Sequence, residues 1–209
     1  MYGFKYSQMT TGDISKLASD QQREQDIDLM LRVAQGDETS FRRVVEQYHK
    51  MIYDLCYRYL GQQQDAEEVS QDVFIRLFKM ASKWEPRAKL STFLYRIAVN
   101  LSLNRLRDNK RRRWLSLDVL TPSRAQQSAF VAPGEGRPDR QLEAKERAAV
   151  VYAAIQRLPE KQRTAVILRR YHEKSYLEIA EIMSCSVSSV ESRLFRARQQ
   201  LKRLLADQI

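Results

Sequence analysis

A chain of 209 residues with 43% hydrophobic content is long enough to bury one large or two small cores, which excludes wholesale disorder. Its formal net charge of +10 asks for a polyanionic partner, nucleic acid before a membrane surface, because no apolar run approaches the roughly 20 residues of a bilayer span. Two cysteines without a CxxC and two histidines leave no zinc set, so no metal and no cofactor is expected, and the thiols should be reduced and mostly buried.

Six glycines and five prolines against long Glu-, Lys-, Leu-, Arg- and Gln-rich stretches favour an all-α fold. Residues 1–25 are polar and weakly patterned and read as a flexible extension; MYGFKYSQMTTGD has no signal-peptide core, which points to a cytoplasmic protein. A short helix is predicted from Asp26 to Gln35, ended by Gly36. Asp37 then caps a longer helix whose stripe is Phe41, Val44, Val45, Tyr48, Ile52, Leu55, Cys56 and Tyr59, closed by Gly61.

Asp65 and Glu68 resemble a capping box for a helix running to about Lys83. Beside its apolar stripe this helix has a second face mixing Glu68, Gln71 and Asp72 with Ile75 and Phe78. Such mixed patches mark protein interfaces, although neighbouring helices can also cover them. Lys83 to Leu90 is a basic loop holding Trp84, with Ser91 as the cap of a helix over 92–112. Arg105, Arg107, Lys110, Arg111, Arg112 and Arg113 crowd the end of that helix, more cations than a C-terminal cap requires. An exposed aromatic in a basic loop suits single-stranded nucleic acid, where bases stack on the ring and cations follow the phosphates.

TPSRAQQSAFVAPGEGRPDR carries three prolines and two glycines without helical period, so 114–140 reads as a flexible linker. Helix resumes over 141–155 and again from Leu158-Pro159-Glu160, with proline at the first position. Ser175 and Glu178 form a capping box, Ser184 to Ser186 interrupt the helix, and Ser186 caps the next. In that last helix Val187, Val190, Leu194, Ala197, Leu201 and Leu204 make one apolar stripe, and the opposite face carries Ser188, Ser192, Arg196, Gln199 and Arg203 with Phe195 at its edge. A short helix, a turn and a longer basic helix are the layout of a helix-turn-helix, whose second helix enters the major groove; an amphipathic hairpin with a solvated basic face is the plainer alternative.

Four segments taken together resemble the extracytoplasmic-function sigma factors of bacterial RNA polymerase: AQGDETSFRRVVEQY, DAEEVSQDVFIRLFK, LSTFLYRIAVNLSLNRLR, and LPEKQRTAVILRRYHEKSYLEIAEIMSCSVSSVESRLFRARQQL. The resemblance implies two small helical domains, region 2 over 26–113 and region 4 over 141–209, and no catalytic residues. It implies docking of Asp65, Glu68, Gln71, Asp72 and Ile75 on the clamp helices of the largest polymerase subunit, with a further contact to the flap of the second-largest. Lys83, Trp84, Arg87, Lys89, Asn100 and Asn104 would capture the minus-ten element as a single strand. Ser188, Ser189, Ser192, Arg193, Phe195, Arg196 and Gln199 would read the minus-thirty-five duplex. Glu191 departs from relatives that carry arginine there, so the promoter sequence does not transfer. The family also implies an anti-sigma factor, often membrane-anchored, that would hold the protein at the inner membrane without insertion of its own. A stand-alone helix-turn-helix regulator is the competing class, and it leaves Asp65 to Arg113 without a role.

Overall fold

The structure is a computed structural model and is described for residues 11–115 and 138–206. Those residues form helices α1 (Thr11–Ala34), α2 (Glu38–Leu60), α3 (Gln63–Met80), α4 (Leu90–Leu115), α5 (Pro138–Gln156), α6 (Glu160–Tyr171), α7 (Tyr176–Ile182) and α8 (Val187–Ala206), with a 3-10 turn at Ala81–Lys83 and no strand among them. Helices α1–α4 pack as one bundle, and α5–α8 gather around the helix-turn-helix.

Local chemistry sets the ends of α2. The Asp37 carboxylate accepts the Thr39 N–H (2.9 Å) and the Ser40 hydroxyl (2.6 Å), and the Ser40 bond above all holds its pKa below the usual value. Gly61 adopts the left-handed conformation (φ 69°) and donates to the Tyr57 carbonyl at 2.9 Å. Between these caps Val44, Ile52, Leu55, Cys56 and Tyr59 are fully enclosed against Ala66, Val73 and Leu77 of α3 and Leu94 and Ala98 of α4. Each such aliphatic side chain stabilises the bundle by about 1.5–3 kcal/mol.

Four boundaries differ from expectation. Helix α1 begins at Thr11, not Asp26, so the stretch read as flexible is helical from residue 11; residues 1–10 lie outside the described residues. The reason is a tertiary anchor. Asp26 is buried and accepts hydrogen bonds from Gln22 (3.0 Å), Gln47 (3.1 Å) and the Tyr48 hydroxyl (2.7 Å), tying a polar helix to α2. Helix α3 starts at Gln63 without a side-chain cap, because the Asp65 carboxylate is taken by Arg105 and Asn109 of α4. Helix α4 starts at Leu90, with the Lys89 carbonyl accepting the Phe93 N–H (3.2 Å), so Ser91 lies inside the helix and does not cap it. Pro159 stands just before α6, where its carbonyl accepts both the Gln162 and Arg163 N–H groups at 2.9 Å.

Helix also claims both ends of the expected linker, since α4 runs to Leu115 and α5 opens at Pro138; residues 116–137 lie outside the described residues. The helix-turn-helix follows the sequence closely. Ser175 and Glu178 make the reciprocal capping box, and the Ser186 Oγ accepts the Ser189 N–H at 3.2 Å. Val190 and Ala197 are fully buried at the centre of the α8 stripe.

Candidate nucleic-acid and partner interfaces

Three surfaces carry the residues singled out above. The first is α8. Burying Val190 and Ala197 against α6 and α7 turns the opposite face outward, and Ser188, Glu191, Ser192, Phe195, Arg196 and Gln199 are all exposed along it. Phe195 is 63% exposed, an unfavourable place for a phenyl ring unless a partner covers it. Two residues do not belong to this face. Ser189 is half-buried at the cap, and Arg193 turns back toward the domain junction, where Nη1 meets Cys185 Sγ at 3.1 Å and Met183 Sδ at 3.8 Å. At about 100° per residue, Arg193 stands roughly 160° around the helix from Phe195, so spacing alone separates them.

The second surface is the loop between α3 and α4. Met80, Lys83, Trp84, Glu85, Arg87, Ala88, Phe93 and Arg96 line a cavity of about 200 Å³. Trp84 is half-buried and packs on the bundle core rather than standing free, so one side of its ring is committed to the fold. Arg87 is largely exposed and paired with Glu85. From α1, Arg23 donates to the Pro86 carbonyl at 3.0 Å and steadies the loop.

The structure divides the remaining residues expected at the minus-ten element. Lys89 is exposed at the head of α4 and does not line this cavity. Asn100 opens into a different cleft of about 410 Å³ between α4 and the α6–α8 group, and Asn104 follows one turn later, accepting from Arg107 at 3.4 Å. Arg96, which the sequence reading passed over, lines both cavities. Its place one turn before Asn100 on the same helical side was the available signal.

The third surface is the outer face of α3. Gln71, Asp72, Ile75 (50%) and Phe78 (44%) are exposed, and Phe78 rests edge-on against Phe41 with ring centroids 5.1 Å apart. Glu68 borders this patch but is held by Arg105 Nη1 at 2.8 Å. Asp65 faces α4 instead, its carboxylate 2.6 Å from the same Arg105 nitrogen and 3.0 Å from Asn109. The Glu68 bond first, and Asp65 next, raise the Arg105 pKa. Asp65 therefore acts in the fold, and the exposed patch begins at Glu68.

Among the described residues no three acidic, histidine or cysteine side chains gather as a metal set, and no helix is long and apolar enough to cross a membrane.

Comparison with known proteins matches residues 44–112 to the family described as Sigma-70 region 2 and residues 148–201 to Sigma-70, region 4. The chain is 36% identical to the ECF RNA polymerase sigma factor SigW of Bacillus subtilis over 177 residues, covering 84% of this chain and 94% of that protein. It is 34% identical to the RNA polymerase sigma-H factor of Pseudomonas aeruginosa, with 88% and 95% covered, and 33% identical to the ECF RNA polymerase sigma-E factor of Escherichia coli K12, with 83% and 90% covered. The fold is similar to CnrH, solved in complex with the cytosolic domain of CnrY (TM-score 0.61, 22% identity, 88% and 98% covered). It is also similar to the sigma factor RpoE of Bartonella quintana, solved with the anti-sigma factor NepR (TM-score 0.59, 23% identity, 79% and 96% covered).

Proposed function

The chain belongs to the extracytoplasmic-function sigma factors of RNA polymerase, and from that premise we propose that it directs promoter-specific initiation through two separate DNA contacts. A sigma factor is an initiation factor, and the phosphodiester chemistry falls to the polymerase it recruits. In this reading residues 26–113 act as region 2 and 141–209 as region 4. The exposed face of α8 reads the minus-thirty-five duplex through Ser188, Ser192, Phe195, Arg196 and Gln199. The loop cavity receives one extruded base of the minus-ten element.

The observation that carries this reading is the loop cavity itself. A base drawn out of the stack needs an enclosed apolar seat with cations nearby for its phosphates. Trp84, Phe93 and Met80 supply the apolar walls, and Lys83, Arg87 and Arg96 supply the charge, in about 200 Å³. The polymerase contact is assigned to Glu68, Gln71, Asp72, Ile75 and Phe78, an acidic and apolar patch suited to a partner with basic and apolar groups. The protein is assigned to the cytoplasm, with core polymerase and promoter DNA as partners. Solved neighbours carrying anti-sigma factors or a cytosolic partner domain support an anti-sigma partner here too, one that would hold the protein at the inner membrane.

The test is reconstitution with core polymerase on a genomic fragment library, with transcription starts mapped. Discrete starts sharing two spaced elements are expected; no binding to core and no enriched starts would overturn the proposal. Tight, specific duplex binding by the chain alone would favour a stand-alone regulator instead. Arg196→Ala should weaken minus-thirty-five dependence by about 10-fold or more, in line with the roughly 1–3 kcal/mol of a bidentate arginine–guanine pair, while core binding persists. Asp72→Lys should do the reverse.

A further inference from the structure

A single acid stands on the outward face of α8. The helix carries Arg193, Arg196, Arg198, Lys202 and Arg203 against Glu191 alone. The fold of α8 gives that carboxylate nothing to do. The helix start is already capped by the Ser186 hydroxyl, which accepts the Ser189 N–H at 3.2 Å. Glu191 lies beyond the first turn, where the helix dipole most favours an acid. The positions three and four residues away are Val187, Ser188, Leu194 and Phe195, so no cation of the same helix can pair with it. Glu191 is exposed, and no hydrogen bond or ion pair reaches it among the described residues.

Helical geometry sets this acid among the residues assigned to duplex DNA. At about 100° per residue, Glu191 stands roughly 40° from Phe195, 60° from Ser188 and 140° from Arg196. With Val190 buried at the back, Glu191 and Arg196 form the two edges of the outward face, and Ser188, Ser192, Phe195 and Gln199 lie between them. Glu191 is also the nearer of the two edges to the helix N-terminus, the end of a recognition helix that contacts base edges. Its neighbours Ser188 and Ser192 are short, which leaves a base edge room to approach it.

We propose that Glu191 is a specificity-determining residue that selects cytosine in the duplex element read by α8, an assignment that rests on the duplex-reading function proposed above. An ionised carboxylate only accepts hydrogen bonds. In the major groove guanine offers two acceptors, thymine an acceptor and a methyl group, and adenine an acceptor beside its amino group. Cytosine alone presents a donor with no acceptor next to it. Accepting from cytosine N4 satisfies the carboxylate, whereas every other base sets it against a lone pair. The same charge repels phosphate, so Glu191 discriminates by rejecting wrong registers as well as by pairing in the right one. The face is thereby divided: Arg196 brings donors for guanine at one edge, and Glu191 brings an acceptor for cytosine at the other.

The experiment uses the full-length chain with core polymerase on promoter duplexes built around one mapped start, with only the minus-thirty-five element randomised, and sequences the transcribed templates. Wild type is compared with Glu191→Gln, Glu191→Ala and Arg196→Ala, and circular dichroism confirms equal helicity. Wild type should enrich cytosine at one position roughly tenfold, the size of a typical single-mismatch penalty. Glu191→Ala should level that position alone. Glu191→Gln should move it toward adenine, because an amide donates to N7 while accepting from N6. Arg196→Ala should level a different position and keep the cytosine. Glu191 variants whose profiles match wild type, or rise evenly for all sequences, overturn the inference. If Arg196→Ala alters the profile and neither Glu191 variant does, duplex reading by α8 stands and the cytosine assignment falls. If none of the three alters it, the duplex reading falls as well.

Discussion

Replacing Gly61 by alanine tests the joint between α2 and α5. Gly61 has φ 69°, and a Cβ built there would collide with the Tyr152 hydroxyl oxygen and lie 2.7 Å from its Cζ. Two independent costs follow. An L-residue held in the left-handed region loses about 1–2 kcal/mol. Displacing a buried ring adds a packing cost of about 1–3 kcal/mol. Gly61→Ala should therefore destabilise by about 3 kcal/mol, lowering the Tm by about 6–12 °C for a chain of this size. Tyr152→Leu removes the colliding hydroxyl, Cζ and Cε1 while keeping an apolar side chain in the site, so it separates the two costs. In that background Gly61→Ala should lose only the backbone part, leaving a coupling of about 1–3 kcal/mol between the sites. Urea denaturation followed by circular dichroism gives all four stabilities. Equal penalties in both backgrounds would refute the collision, and a penalty under about 0.5 kcal/mol in wild type would refute the whole argument.

Other perturbations probe the junction and the α3–α4 pairing. Burial pushes the His172 pKa down to about 4, helped by the positive charges of Lys174 and Arg58, while Tyr95 occupies Nδ1 and Nε2 is enclosed without a partner. The folded chain thus binds fewer protons than the unfolded one, so this contribution is complete above pH 6.5 and is lost as the pH falls toward about 4. Acidification across that window should cost on the order of 3 kcal/mol through this residue, and His172→Gln should flatten the loss. Urea midpoints measured from pH 7 to pH 4 that fall equally in both proteins would contradict it. Arg105→Ala leaves the half-buried Asp65 carboxylate with Asn109 as its remaining partner across α4 and should cost about 1–2 kcal/mol in chemical denaturation, discounted for partial exposure. Arg105→Lys, a point charge without the fork, should recover part of it; full recovery would mean that charge alone matters there.

The sequence was most legible where the signal and its consequence lie within one turn. Asp37 accepting the Thr39 N–H, Gly61 at a helix end, and Ser175 with Glu178 each satisfy backbone groups two to four residues away, so residue type and spacing sufficed. The stripe of α8 was readable for the same reason. Asp65 failed because its partner, Arg105, sits forty residues later on another helix. A carboxylate that suits an N-cap equally suits an ion pair, and only the packing of α3 on α4 decides between them. The N-terminal half of α1 was hidden by its polar sequence, since the group that anchors the helix is a buried acid, Asp26, satisfied by α2. Trp84 was placed in the correct loop but read as free, because spacing does not reveal which side of a loop faces the core. Arg193, expected beside Phe195 from the resemblance, stands away from it by helical geometry alone and turns to Cys185 and Met183.

The two faces assigned to DNA on the proposed reading differ in how freely they are exposed. The α8 face carries Phe195 and Arg196 in the open while α4 and α7 are in contact, so on that reading the duplex contact would not need the helical groups to part. On the other face Arg96 is engaged at that contact, donating to the Glu181 carbonyl, whereas Asn100 stays exposed in the cleft beside it. On the proposed reading, polymerase docked on the exposed α3 patch would hold region 2 while the exposed α8 face of region 4 meets its own element. Two modest contacts joined on one template would then supply an affinity that neither face provides alone.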